Sequence, residues 1–144
     1  MDSEKQGQID AVITWVDGND PKHQLKLEKA LGGKSRKKIP GADNTRFGNA
    51  NELKYCLLSI LTFAPFIRKI FIVTDEQDPN VIPFIEQDFP ERVNDIRIVD
   101  HQEIFRGYEK YLPTFNSRSI ESVIWRIEGM SDNFVFFSDD MFLV

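Results

Sequence analysis

IDAVITWVDGNDP, residues 9–21, decides the reading of this chain. Its first half, Ile9–Val16, is apolar and rich in β-branched residues, and short enough for a buried strand. Asp17-Gly18 then signals a turn. Asp20-Pro21 opens a helix, with Asp as N-cap and Pro at the first helical position, and Gly32-Gly33 supplies the stop. A buried strand that turns directly into a helix is the opening of a βαβ unit.

The same alternation continues downstream. Gly33–Asn49 contains Pro40 and turn-prone Asn and reads as a loop. Asn51 is the expected cap of a second helix, whose Leu53, Leu57, Ile60 and Leu61 share one apolar face, and Pro65 ends it. KIFIVT, Lys69–Thr74, is the second strand and closes on Asp75. A short helix around Val81–Phe89 leads to a third strand, Ile96–Val99, which closes on Asp100. A further helix is predicted from Ser117 to Gly129, burying Ile120, Val123, Ile124 and Ile127. The fourth strand, Phe134–Phe137, closes on Ser138-Asp139-Asp140. The predicted fold class is α/β: a mainly parallel sheet with flanking helices, Rossmann-like. It is expected to form a single domain over residues 9–144 behind a flexible polar N-terminus, residues 1–8.

Bulk properties narrow the function classes. A chain of 144 residues can bury one sizeable core. A formal charge of −5 argues against nucleic acid as a partner, because neutralising phosphates needs a basic face. Lys34, Arg36, Lys37 and Lys38 form the one basic cluster, either a solvated loop or a loop reaching an anionic substrate or membrane surface. The lone Cys56 sits in an apolar helical pattern, which fits a buried thiol and a reducing compartment. Met1–Gln8 has no apolar core of a leader, and no stretch has the length of a membrane span, so a cytoplasmic location is expected.

The chemical signal lies in position. Every predicted strand ends in aspartate: Asp17, Asp75, Asp100 and the Asp139-Asp140 pair. Open α/β sheets bind ligands outside the carboxyl ends of their strands. Carboxylates gathered there repel one another unless a cation compensates, and hard oxygen ligands select Mg²⁺ or Mn²⁺. A metal–diphosphate substrate follows as the expectation. Any single aspartate at such a place is equally an ordinary turn or cap residue, whereas the adjacent pair after FVFF favours function. His101 is placed to act as acid or base. His23 falls in a predicted polar helix and is assigned no role. Asn116 and Ser117 are N-cap candidates at a helix start that could also hold a phosphate or sugar hydroxyl. Trp15 is core, or a stacking platform beside Asp17.

These segments, in this order, resemble the Stealth family. That family includes bacterial capsular polysaccharide phosphotransferases and the animal enzyme that places GlcNAc-1-phosphate on lysosomal glycoproteins. The resemblance is carried by IDAVITWVDGNDP (9–21), RFGNANELKYCLLSILTFAPFIRKIFIVTD (46–75), IVDHQEIF (98–105), LPTFNSRSIES (112–122) and FVFFSDDMFL (134–143). It implies a nucleotide-sugar transferase fold and a UDP-linked N-acetylhexosamine donor. It also implies transfer of sugar-1-phosphate to a glycan or polysaccharide acceptor, with release of UMP. On matching positions, Asp17, Gly18 and Asp20 belong to the donor site with Trp15 and Asp75, and Asp139 and Asp140 hold the divalent ion. Arg46, Glu52, Asn116, Ser117 and Glu121 form the surrounding polar shell, with His101 as a lesser catalytic candidate. Asn49 departs from the acidic residue of many members. The chain stops soon after Asp140, whereas members continue into further conserved regions that include a histidine. The sheet and the active site are therefore expected to be incomplete, leaving apolar surface for homo-oligomer or peripheral membrane association.

Two other functions share these residues. A metal-dependent glycosyltransferase would release UDP, and a non-catalytic domain would only bind the nucleotide-sugar. A haloacid-dehalogenase-like phosphatase is a weaker option, since it wants Asp-x-Asp after the first strand and Asp17-Gly18-Asn19-Asp20 does not fit that spacing.

Overall fold

A computed structural model describes residues 7–32 and 51–144. The basic cluster, Arg46 and Asn49 lie outside the described residues.

Four strands form one sheet, β1 (Ile9–Thr14), β2 (Ile67–Thr74), β3 (Ile96–Asp100) and β4 (Asn133–Ser138), in the order β3-β2-β1-β4. All three pairings are parallel, so every carboxyl end emerges on the same edge. This is the α/β arrangement expected from the strand–helix alternation. Alternation along the two central strands sends side chains to opposite faces. Ala11, Ile13, Ile70 and Ile72 enter one buried cluster with α2 (Glu52–Phe63) and α3 (Ile82–Asp88). Val12, Phe71 and Val73 enter the other, with α4 (His101–Ile104), α5 (Ser117–Glu121) and the 3₁₀ turn Ile124–Arg126. Cys56 is fully buried in the first cluster.

Helix α1 (Pro21–Leu31) begins and ends as its sequence dictates. Asp20 accepts a hydrogen bond from the His23 amide, and Gly32 takes the left-handed conformation at φ 56°. Two expectations need correction. Asn51 precedes α2 in the left-handed conformation and makes no side-chain cap bond to it. The predicted Ser117–Gly129 helix is broken into α5 and the 3₁₀ turn. Ser122 Oγ donates to the Ser119 carbonyl at 2.8 Å, and Trp125 Nε1 donates to the Ser122 carbonyl at 3.0 Å. Such side-chain bonds compete for carbonyls that a continuous helix would use itself. Ile120, Ile124 and Ile127 are still buried, and Val123 is half-buried.

The opposite edge of the sheet carries a buried ion pair that the sequence pattern does not reveal. Asp10, wholly buried, accepts from Arg68 at 3.0 and 2.6 Å, from the Lys69 amide at 3.1 Å and from the Ser131 amide at 2.7 Å. One carboxylate thus joins β1, the start of β2 and the segment entering β4.

Candidate functional site

A cleft of about 350 Å³ opens at the carboxyl edge, between the ends of β1 and β4 and the start of α5. Trp15 and Val16 come from β1's extension, Ser138, Asp139 and Asp140 from β4's end, and Thr114, Phe115 and Ser117 from the segment entering α5. His23 of α1 lines it as well.

The Asp139-Asp140 turn is fixed from below. The Met141 amide donates to the Ser138 carbonyl at 3.0 Å. Ser59 Oγ of α2 accepts from the Leu143 amide at 3.0 Å and donates to the Cys56 carbonyl at 2.7 Å. Burial, together with the charges of Asp140 and Glu52, pushes the Asp139 carboxyl up to about 6. Burial and the same two aspartates push the Cys56 thiol up to about 12, which removes it as a nucleophile. Among the described residues that line the cleft, Asp139 and Asp140 are the acidic side chains and none is a lysine or arginine.

Behind the cleft, His23 is 3% exposed and its Nδ1 lies 3.1 Å from Asp75 Oδ2. Lys26 Nζ lies 2.7 Å from Asp75 Oδ1 and 2.8 Å from Glu76 Oε2. Burial works to raise the Asp75 carboxyl, but bonds from His23 and Lys26 and the Lys26 charge outweigh it and hold the group at about 2. The His23 ring also meets Phe115 edge-on, with centroids 5.3 Å apart.

Of the sequence candidates, the cleft brings together Trp15, Ser117, Asp139 and Asp140. Asp17 lies in an adjoining cleft of about 260 Å³ with Asn51, Lys54 and Asn80, and Trp15 borders both. Gly18 accepts from Gln24 through its carbonyl at 3.2 Å. Asp20 and Asn116 act as N-caps of α1 and α5. Asp100 caps α4 and accepts from the Glu76 amide at 2.6 Å. Glu52 opens α2, and Glu121 is exposed at the end of α5. His101 is 2% exposed and lines neither cleft; burial lowers its pKa against the pull of Asp75 and Asp100.

Sequence reasoning misses His23, Lys26 and Gln77, whose contacts run across 49–60 residues of chain. One signal for His23 was available. It stands four residues before Leu27, and these are the two buried residues of α1.

Among the described residues no group of three or more His, Cys, Asp or Glu is arranged to hold a metal ion. Asp139 and Asp140 nevertheless fit Mg²⁺ or Mn²⁺. Such ions are commonly held by one or two carboxylates plus substrate phosphates, and the raised Asp139 carboxyl marks charge that a cation would compensate.

A parallel sheet with an acidic cleft across its strand ends defines the chain as an α/β domain, a class whose ligands bind at that edge. Residues 46–144 match Stealth protein conserved region 2, and residues 7–35 match conserved region 1. The chain belongs to the Stealth family. It is 44% identical, over 94% of its length, to an exopolysaccharide phosphotransferase of Streptomyces coelicolor, and covers 23% of that protein. Identity is 39% over 96% of the chain to a capsular polysaccharide phosphotransferase of Actinobacillus pleuropneumoniae, of which it covers 36%. A capsular polysaccharide phosphotransferase of Neisseria meningitidis is 38% identical over 94% of the chain, which covers 35% of it. The chain thus spans about a quarter to a third of the length of these curated relatives. No helix among the described residues is long and apolar enough to cross a membrane.

Proposed function

We propose that this chain supplies the donor-binding part of a Stealth-type phosphotransferase of capsule or exopolysaccharide synthesis. The reaction is transfer of a sugar-1-phosphate, an N-acetylhexosamine-1-phosphate, from a UDP-sugar to a hydroxyl of a glycan acceptor. The acceptor oxygen attacks the phosphorus next to the sugar, and the bond to the bridging oxygen breaks, so UMP leaves.

The observation that carries the reading is the Asp139-Asp140 pair, set in a cleft at the carboxyl edge that no described lysine or arginine lines. In this reading the two carboxylates hold Mg²⁺ or Mn²⁺. A divalent ion bound there supplies neutralisation of the diphosphate and of charge developing at phosphorus. Ser117 lines the same cleft and orients a phosphate or sugar oxygen, while Trp15 offers an apolar wall. The names of the relatives support phosphotransfer toward polysaccharide.

Calorimetric titration with UDP-GlcNAc, with and without Mg²⁺ or Mn²⁺, tests this reading beside an Asp139→Asn/Asp140→Asn variant. Metal-dependent binding lost in the variant is expected. A folded chain that binds no donor under either condition would sink the claim. In the full-length protein, release of UMP rather than UDP identifies phosphosugar transfer.

A further inference from the structure

The β1–β2 ladder ends before Asp17. Its last backbone bond runs from the Trp15 amide to the Val73 carbonyl at 2.9 Å. Beyond Thr74 the β2 chain turns away, with Glu76 in the left-handed conformation at φ 51°. Asp17 therefore has no strand beside it. Gln77 takes that place with its side chain. Its Oε1 accepts from the Asp17 amide at 2.8 Å, and its Nε2 donates to the Asp17 carbonyl at 3.0 Å.

One primary amide thus satisfies both backbone groups of one residue, as a neighbouring strand would. The loop that delivers it is itself pinned. Glu76 donates its amide to Asp100, accepts from Gln102 Nε2 at 2.8 Å and pairs with Lys26. A non-glycine residue held at positive φ persists only where its surroundings fix it, and such positions cluster at functional sites.

We propose that Gln77 is a positioning residue of the donor site: its side-chain amide clamps the Asp17 backbone and sets the Asp17-Gly18 turn for a nucleotide-sugar diphosphate. This rests on the donor-site reading above. The clamped residue lines the cleft that adjoins the Asp139-Asp140 cleft, with Trp15 common to both. The clamp therefore fixes the relative placement of the two.

Gln77→Met keeps the length of the side chain and removes both hydrogen bonds. Gln77→Glu keeps the acceptor for the Asp17 amide and opposes the Asp17 carbonyl with a carboxylate. For Gln77→Met, hydrogen exchange at the Asp17 amide should accelerate and the Kd for UDP-GlcNAc with Mn²⁺ should rise about 10-fold or more, the scale of two lost bonds. Gln77→Glu should retain amide protection yet bind the donor more weakly than the parent. A filler role would leave Gln77→Met binding like the parent chain, which overturns the inference alone. A loss of binding that tracks only the unfolded fraction in thermal melts also overturns it. If the parent chain binds no UDP-GlcNAc, the donor-site reading falls and the inference with it.

Discussion

Asp75 holds its carboxylate in a buried position, with His23 Nδ1 3.1 Å from one oxygen and Lys26 Nζ 2.7 Å from the other. Burial alone would disfavour its charge, and the two partners reverse that, leaving the group at about 2. A carboxyl depressed in the folded state stabilises the fold above its ordinary value near 3.8, and that contribution is lost as pH falls toward 2. Asp75→Asn should therefore cost roughly 2 kcal/mol at pH 7. In paired thermal or urea melts the gap to the parent chain should narrow between pH 4 and pH 2. A gap constant across that range would mean that the ion pair contributes no pH-linked stability. That Asp75 ends a strand was legible in the sequence. Its partners were not, because His23 and Lys26 come from a helix about fifty residues earlier and no local pattern links the segments.

Among the elements, the helices that rest on caps and spacing were readable, and those decided by side-chain competition were not. Helix α1 follows from Asp20, Pro21 and Gly32. The break after α5 follows from Ser122 and Trp125 taking main-chain carbonyls, while the isoleucine spacing alone suits an unbroken helix. The support of the Asp139-Asp140 turn has the same character. Ser59 looks like one more small residue of an apolar helix, yet its hydroxyl receives the Leu143 amide across 84 residues. Ser59→Ala removes that acceptor and should cost about 1–2 kcal/mol in melting experiments. If the turn holds the divalent ion, the same variant should weaken Mn²⁺-dependent donor binding several-fold in calorimetry. Unchanged stability and unchanged affinity together would show that Leu143 finds water instead.

Across the whole molecule, the two edges of the sheet do different work. The parallel sheet could be anticipated because strands alternate with helices along the chain, and β1 and β2 are largely buried, as central strands are. β4 alternates exposed and half-buried positions over Asn133–Phe136 before Phe137 is buried, which suits its place at the edge of the described sheet. The strand order needed contacts that only the structure supplies. At the amino edge, Asp10 is buried and satisfied by Arg68, Lys69 and Ser131. The carboxyl edge holds the cleft and its acidic pair, Asp139 and Asp140. Removing one partner of a buried ion pair typically costs about 3–5 kcal/mol. Because the Arg68 side chain keeps 26% exposure, Asp10→Ala belongs at the low end of that range. For a domain of this size such a loss lowers Tm by roughly 10 °C. The protein that remains folded should bind UDP-GlcNAc with the affinity of the parent chain, since Asp10 touches nothing at the cleft. Asp139→Asn/Asp140→Asn should do the reverse, abolishing metal-dependent binding without lowering Tm. Melting curves and titrations on both variants check the division, and a loss of donor affinity in folded Asp10→Ala would refute it.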